Sequence, residues 1–88
     1  MLLIVCRRIV IIWQTIPHMS ILTDFGNRLK AIRTERGLTQ EKLAELSGLH
    51  RTYVGAVERG ERNISLKNLQ NLAIALNVSL SDLFKGVE

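Results

Sequence analysis

Covalent chemistry has almost nothing to work with in this chain. Its one cysteine, Cys6, has no partner for an internal disulfide, and an unpaired thiol fits a reducing compartment, the cytoplasm. Its two histidines, His18 and His50, stand far from each other and from Cys6, so no group has the spacing of metal ligands. No glycine-rich phosphate loop occurs, and no serine, histidine and aspartate combination suggests an activated nucleophile. The expectation is therefore a protein that is not an enzyme, with no metal and no cofactor. Long apolar runs are missing too. A bilayer crossing needs ~20 apolar residues, whereas Leu2–Val5 and Ile9–Trp13 are short and separated by Arg7 and Arg8. A signal peptide would carry its charges ahead of the apolar run and a small-residue cleavage site behind it, and neither is present.

What remains is a small basic chain. It has 88 residues, 47% of them hydrophobic and 23% charged, with a net charge of +4 and a pI near 9.8. Such a balance favours an anionic partner without naming one. Setting aside the first eighteen residues, which hold Arg7 and Arg8, leaves ten basic and eight acidic side chains, a balance of only +2. Placement must carry the argument. The length suits one domain, and a unit of ~60 residues buries only about 60% of the surface its unfolded chain exposes, so a second copy would help.

Residues 1–18, MLLIVCRRIVIIWQTIPH, read as an N-terminal extension, and residues 19–88 as the domain. Three readings of the extension stand open. Met19 could be the true initiator, with the upstream start mis-assigned. The Ile and Val content suits an extended arm or strand, one that could pair with its copy in a dimer. A loose, sticky tail is the third. Pro17 separates the segment from the domain in each case.

Beyond Met19 the apolar residues recur at helical spacing, and no strand pattern or internal repeat is visible. A first helix is expected from Asp24 to Arg36, capped by Thr23 or Asp24, with Phe25, Leu29 and Ile32 as its buried stripe and Gly37 as its left-handed stop. Then comes TQEKLAELSGLHRTYVGAVERG, from Thr39 to Gly60. Leu43, Ala44, Leu46, Leu49, Tyr53, Val54 and Val57 keep the period, which breaks once at Ser47-Gly48. That pattern predicts two short amphipathic helices around a tight glycine turn: Gln40–Leu46, capped by Thr39, and His50–Arg59, closed by Gly60. Ser65 caps a fourth helix with Leu66, Leu69, Leu72, Ala73 and Leu76 on its apolar face, and Asn77 ends it. Ser79 and Asp82 have the spacing of a capping box and open a short fifth helix through Leu83 and Phe84. The fold expected is all-α, with five helices.

On a helical wheel the third helix places Val54, Val57 and Glu58 on one side, with Tyr53 at the border. Arg51, Thr52, Gly55 and Arg59 share the other. Residues at the start of such a helix reach base edges when its N-terminus points into the major groove. Arg51 is the natural reader, because its fork matches the two acceptors of guanine, and Thr52 can touch a base or a thymine methyl. Arg59 lies two turns on, nearer the backbone. Gly55 is locally unfavourable, since glycine inside a helix costs about 1 kcal/mol against alanine. It points to clearance for DNA or for the arginine, with relaxed selection as the plainer account. Gln40, at a helix N-terminus, can clamp a phosphate. Arg62 and Asn63, in the following loop, overhang the same edge, with Lys67 a weaker candidate. Tyr53 reads as a packing residue whose hydroxyl meets a phosphate, and His50 as a surface residue at a helix start. Taken singly, these arginines are what any solvated helix face carries; the helix-turn-helix setting gives them a groove to enter. Leu76, Val78, Leu80 and Phe84, near the end of a chain with little core left to enter, form the expected dimer surface.

The segment GLTQEKLAELSGLHRTYVGAVERG resembles the helix-turn-helix family of phage Cro and repressor proteins, also called the XRE family. Gln40 opens the motif, and Ala44, Gly48, Val54 and Val57 fall at its small, turn and core positions. The resemblance spans about Phe25 to Phe84. It implies a five-helix, lambda-repressor-like DNA-binding domain that acts as a symmetric dimer on a palindromic operator in double-stranded DNA. It also implies an ion pair between Arg33 and Glu58 that braces the reading helix. Within the family, GLHRTYVGAVERGERNISLKNL is similar to controller proteins of restriction–modification systems, small stand-alone dimers that activate or repress their own operon. That likeness implies base contacts at Arg51, Thr52 and Arg62, a dimer contact on the fourth and fifth helices, and RNA polymerase as a candidate partner. The alternative from another class is an antitoxin-type module whose extension folds onto a protein partner, although Leu2–Trp13 is too apolar to stay soluble when free. A membrane-surface tether through Arg7, Arg8 and Trp13 is a third reading.

Overall fold

The computed structural model describes residues 20–87, and the expectations placed on residues 1–18 fall outside them. Among the described residues the fold is all-helical. The helices are α1 (Ile21–Glu35), α2 (Gln40–Ser47), α3 (Arg51–Glu58), α4 (Leu66–Leu76) and α5 (Leu80–Leu83).

Local chemistry explains most helix ends. Thr39, Ser65 and Ser79 each accept the N–H three residues on, at 3.0, 3.1 and 3.0 Å, so each caps a helix start. Gly48 closes α2 at φ 73° and Asn77 closes α4 at φ 57°, both in the left-handed region that lets the chain turn away. Gly37 does the same just beyond α1, at φ 71°. The start of α1 differs from expectation. Ser20, not Thr23 or Asp24, is the cap, its Oγ accepting the Leu22 N–H at 3.2 Å. Once a helix exists, extending it gains a hydrogen bond per residue, so the outermost usable cap sets the boundary. Asp24 then lies in the first turn, where its charge suits the helix dipole. The box at Ser79 is half of the expected one. Asp82 supplies its N–H to Ser79 Oγ, but its carboxylate makes no return bond to the Ser79 N–H. Separately, its backbone carbonyl accepts from Arg28 Nη2 and Nε at 2.8 and 3.2 Å, tying α5 to α1.

The core is drawn from all five helices. Leu29, Leu43, Leu72, Leu76, Leu83, Val54 and Val57 are almost wholly excluded from solvent, and burying each such side chain contributes about 1.5–3 kcal/mol. Helix α1 packs on α3 and α5, α2 packs on α3 and α4, and α5 folds back onto α4. Two expected core positions point outward: Leu46 is half exposed and Leu66 is 81% exposed. Both sit at the margin of their helix's apolar stripe, where a broad face runs past the surface it covers.

The expected dimer surface changes most. Leu76 is 1% exposed and belongs to the core, and Val78 packs partly against it. Phe84 is also half-buried, its ring 5.1 Å from that of Phe25 at a 34° tilt. The cause is Asn77: its left-handed turn brings α5 back over α1, where Arg28 holds it, and these apolar side chains find a core after all. Leu80 remains 44% exposed, and Ile74, which the sequence reading passed over, is 70% exposed.

Candidate nucleic-acid interface

The α2–α3 pair is joined by a turn that locks its own geometry. Leu49 N–H reaches back to the Ala44 carbonyl at 3.0 Å, and the buried Ser47 hydroxyl donates to the same oxygen at 3.2 Å. His50 occupies the cap position of α3 without a side-chain bond. The next residue, Arg51, is the first residue of α3, and its side chain is 67% exposed. With the inner face of α3 fixed by Val54 and Val57, its outer face has nowhere to go but solvent.

That outer face is a shallow polar concavity of about 350 Å³, lined by Gln40, Arg51, Thr52, Gly55 and Arg59. Gly55 forms its floor. A Cβ there would stand 3.1 Å from Arg59 Nη1 and 3.3 Å from Gln40 Oε1. The clearance expected at Gly55 therefore exists, but it serves Arg59 and Gln40, not the swing of Arg51. Arg51 lies 4.0 Å from Glu41, and Arg59 Nε lies 3.1 Å from Glu61. These exposed pairs contribute little, on the order of 0–1 kcal/mol, and release their arginines easily to a stronger anion.

Tyr53 packs against the core as expected, but its hydroxyl has partners within the protein. Its hydroxyl donates to the Asn63 carbonyl at 3.1 Å and accepts from Asn68 Nδ2 at 3.3 Å. Its one proton is engaged within the protein, so a phosphate contact from it would require breaking the bond to Asn63. The ring carries the Arg62 guanidinium at 5.8 Å from its centroid, a cation–π contact that holds Arg62 beside the third helix. Asn63, expected on the DNA backbone, thus also anchors Tyr53 through its carbonyl, while its side chain stays in the exposed loop.

Behind the outer face of α3 lies a buried polar chain. Arg33 Nε and Nη2 meet Glu58 Oε2 and Oε1 at 2.6 and 3.1 Å, in the forked geometry of strong charge-assisted bonds. The two side chains are 10% and 2% exposed. Arg33 Nη1 also donates to the Leu38 carbonyl at 2.7 Å, and Gln40 Nε2 donates to Glu58 Oε1 at 3.0 Å. Gln40 is therefore held from inside by a carboxylate, a contact the sequence reading missed. The available signal was Glu58 itself: a carboxylate on the apolar side of the wheel with Val54 and Val57 must find partners. Gly26 was missed too. A Cβ there would stand 2.6 Å from the Val57 carbonyl and would collide with that of Glu58, so α1 meets the end of α3 backbone to backbone.

The profile of the helix-turn-helix family matches residues 29–83. The chain is 49% identical over 68 residues to the control protein C.SmaI of Serratia marcescens, covering 77% of this chain and 81% of that protein. It is 45% identical over 65 residues to the control protein C.MunI of a Mycoplasma species, covering 73% and 88% respectively. Among solved structures, the restriction–modification controller protein C.AhdI from Aeromonas hydrophila superposes with a TM-score of 0.71 at 57% identity, over 72% of this chain and 96% of that one.

Proposed function

The chain belongs to the helix-turn-helix family of sequence-specific DNA-binding transcriptional regulators, which are not enzymes, and we propose that it works as the controller of a restriction–modification system. In this reading two copies grip a palindromic operator, with their third helices one DNA turn apart, ~34 Å. The observation that carries it is the concavity over Gly55: Arg51, Thr52 and Arg59 face outward from a helix whose other side is locked in the core, and the Gln40 amide of α2 borders them.

Each residue takes a role that follows from its place. Arg51 and Thr52, at the leading end of α3, read base edges. Arg62, stacked on Tyr53, reads a neighbouring base from the loop. Arg59, Gln40 and Asn63 meet the phosphates, which fix register without reading sequence. The copies pair through the apolar surface left after the core is filled. That surface is Ile74 and Leu80, on either side of the α4–α5 turn, with the exposed margin of Val78. No helix among the described residues is long and apolar enough to cross a membrane, and the cytoplasm, where DNA lies, is the proposed location.

Footprinting on the DNA flanking the protein's own gene tests this reading. A short, symmetric protected sequence that survives competition by random duplex is the expected result. Protection spread evenly over all DNA would sink it.

A further inference from the structure

We propose that Glu58 is a positioning residue for DNA binding: its buried carboxylate, fixed by Arg33, sets the orientation of the Gln40 amide at the edge of the reading face. The inference rests on the reading that Gln40 meets a phosphate.

The carboxylate is immobilised from both ends. Its backbone is pressed by Gly26 of α1, which leaves no room for a side chain between the two helices. Its oxygens are gripped by the Arg33 fork at 2.6 and 3.1 Å, and Arg33 is itself tied to the Leu38 carbonyl, just ahead of the Thr39 cap. Oxygen Oε1 is therefore a fixed point, and Gln40 hangs from it through Nε2 at 3.0 Å. An amide nitrogen has two protons. One is used by Glu58, so the other projects from a defined position beside the first turn of α2, where the helix N–H groups also face outward. The carbonyl Oε1 is turned towards Gly55, 3.3 Å from the point a Cβ would occupy there.

This arrangement decides which end of the amide meets an anion. A free glutamine would sample several rotamers and both amide orientations, and half of those orientations present a carbonyl oxygen to a phosphate. Glu58 accepts only donors and so removes them. Its own charge, which would repel DNA, is balanced by Arg33 at the same oxygens. The pair thus acts as a neutral, rigid acceptor. The same logic explains the residue type at position 40. A glutamate would face Glu58 with like charge, and a lysine or arginine would surrender its charge to it.

The test is a set of binding and melting measurements on the full chain, using the duplex that the wild-type protein protects in footprinting. Gln40→Ala should weaken binding about tenfold to specific and random duplex alike. The paired change Arg33→Met with Glu58→Met removes the carboxylate without stranding a buried charge, a replacement that domains tolerate. It should weaken binding about tenfold as well. The triple variant should be no weaker than either, because both changes remove one contact. Wild-type affinity in the folded paired variant, or additive losses in the triple, would overturn the positioning role and leave the phosphate contact standing. Unchanged binding by Gln40→Ala would overturn the phosphate contact itself. A second measurement does not depend on the variants folding. In nitrogen-resolved NMR of the DNA-free protein, the Gln40 side-chain amide should show one proton shifted and protected from exchange relative to those of exposed Gln70. A pair of protons with the shift separation and exchange rates of the Gln70 amide would refute the inference.

Discussion

Replacing Gly55 with alanine separates what the fold needs from what DNA needs. The residue is helical and buried at the floor of the concavity. Removing a glycine from a helix interior gains about 1 kcal/mol. Against that gain stands the new methyl group, 3.1 Å from Arg59 Nη1 and 3.3 Å from Gln40 Oε1. Both atoms must yield by a few tenths of an ångström. Arg59 is solvent-exposed and its guanidinium can swing away at little cost. Gln40 is held by a hydrogen bond to Glu58, and such a bond contributes about 0.5–1.5 kcal/mol net. Straining it offsets part of the helix gain without reversing it, so the variant should be as stable as wild type or up to about 1 kcal/mol more stable. In a domain this size that is a rise in Tm of up to about 4–8 °C, readable by circular dichroism. DNA binding should go the other way, because the floor has been raised under Arg59 and Gln40. A tenfold loss, ~1.4 kcal/mol, is the expected result by fluorescence anisotropy. A variant that melts higher and still binds as tightly as wild type would refute the clearance argument. A clear fall in Tm would show that the glycine serves the fold instead.

Other substitutions have distinct expected signatures. Gly26→Ala should lower stability by about 2 kcal/mol or more in urea titration, since its methyl group meets backbone carbonyls that cannot turn aside; a cost under about 0.5 kcal/mol would contradict the close approach. Arg51→Ala should leave the melting curve intact and lose ~1–3 kcal/mol of discrimination at one base pair in each half-site, seen by anisotropy with singly substituted duplexes; an unchanged preference would remove it from the readers. Ile74→Glu combined with Leu80→Glu should shift sedimentation towards monomer without unfolding the chain, and a persistent dimer would place the interface elsewhere. Phe84→Ala should act instead on the fold, costing about 1–3 kcal/mol for a partly buried ring stacked on Phe25, where a purely intermolecular role would leave the monomer's melting unmoved.

Much of the architecture is legible because helix ends are written locally. Thr39, Gly48, Ser65 and Asn77 each solve a problem within three or four residues, and each caps or closes its helix as expected. The start of α1 is ambiguous because three cap-type residues crowd its first turn, and sequence alone does not say which one the helix reaches. Side-chain destinations depend on how distant segments meet, and there local pattern misleads. Leu76 and Phe84 look surplus to a short chain until Asn77 turns α5 back over α1. Gln40 looks free until Glu58, eighteen residues away, is seen beneath it. Gly55 and Gly26 carry the same cost within a helix, yet nothing local marks Gly26 as the one that faces another backbone.

The acidic neighbours on the rim have a consequence for how the protein searches. Glu41 stands near Arg51, and Glu61 is paired with Arg59. Attraction to arbitrary duplex scales with the phosphate charge a surface can neutralise, and these escorts lower that figure while no operator is present. On the proposed reading, any duplex must first displace these weak partners, so each takes a small part from the hold on unrelated stretches. At an operator the proposed base contacts and backbone donors would displace both carboxylates together, so selectivity would draw on reluctance elsewhere as well as on grip at the target.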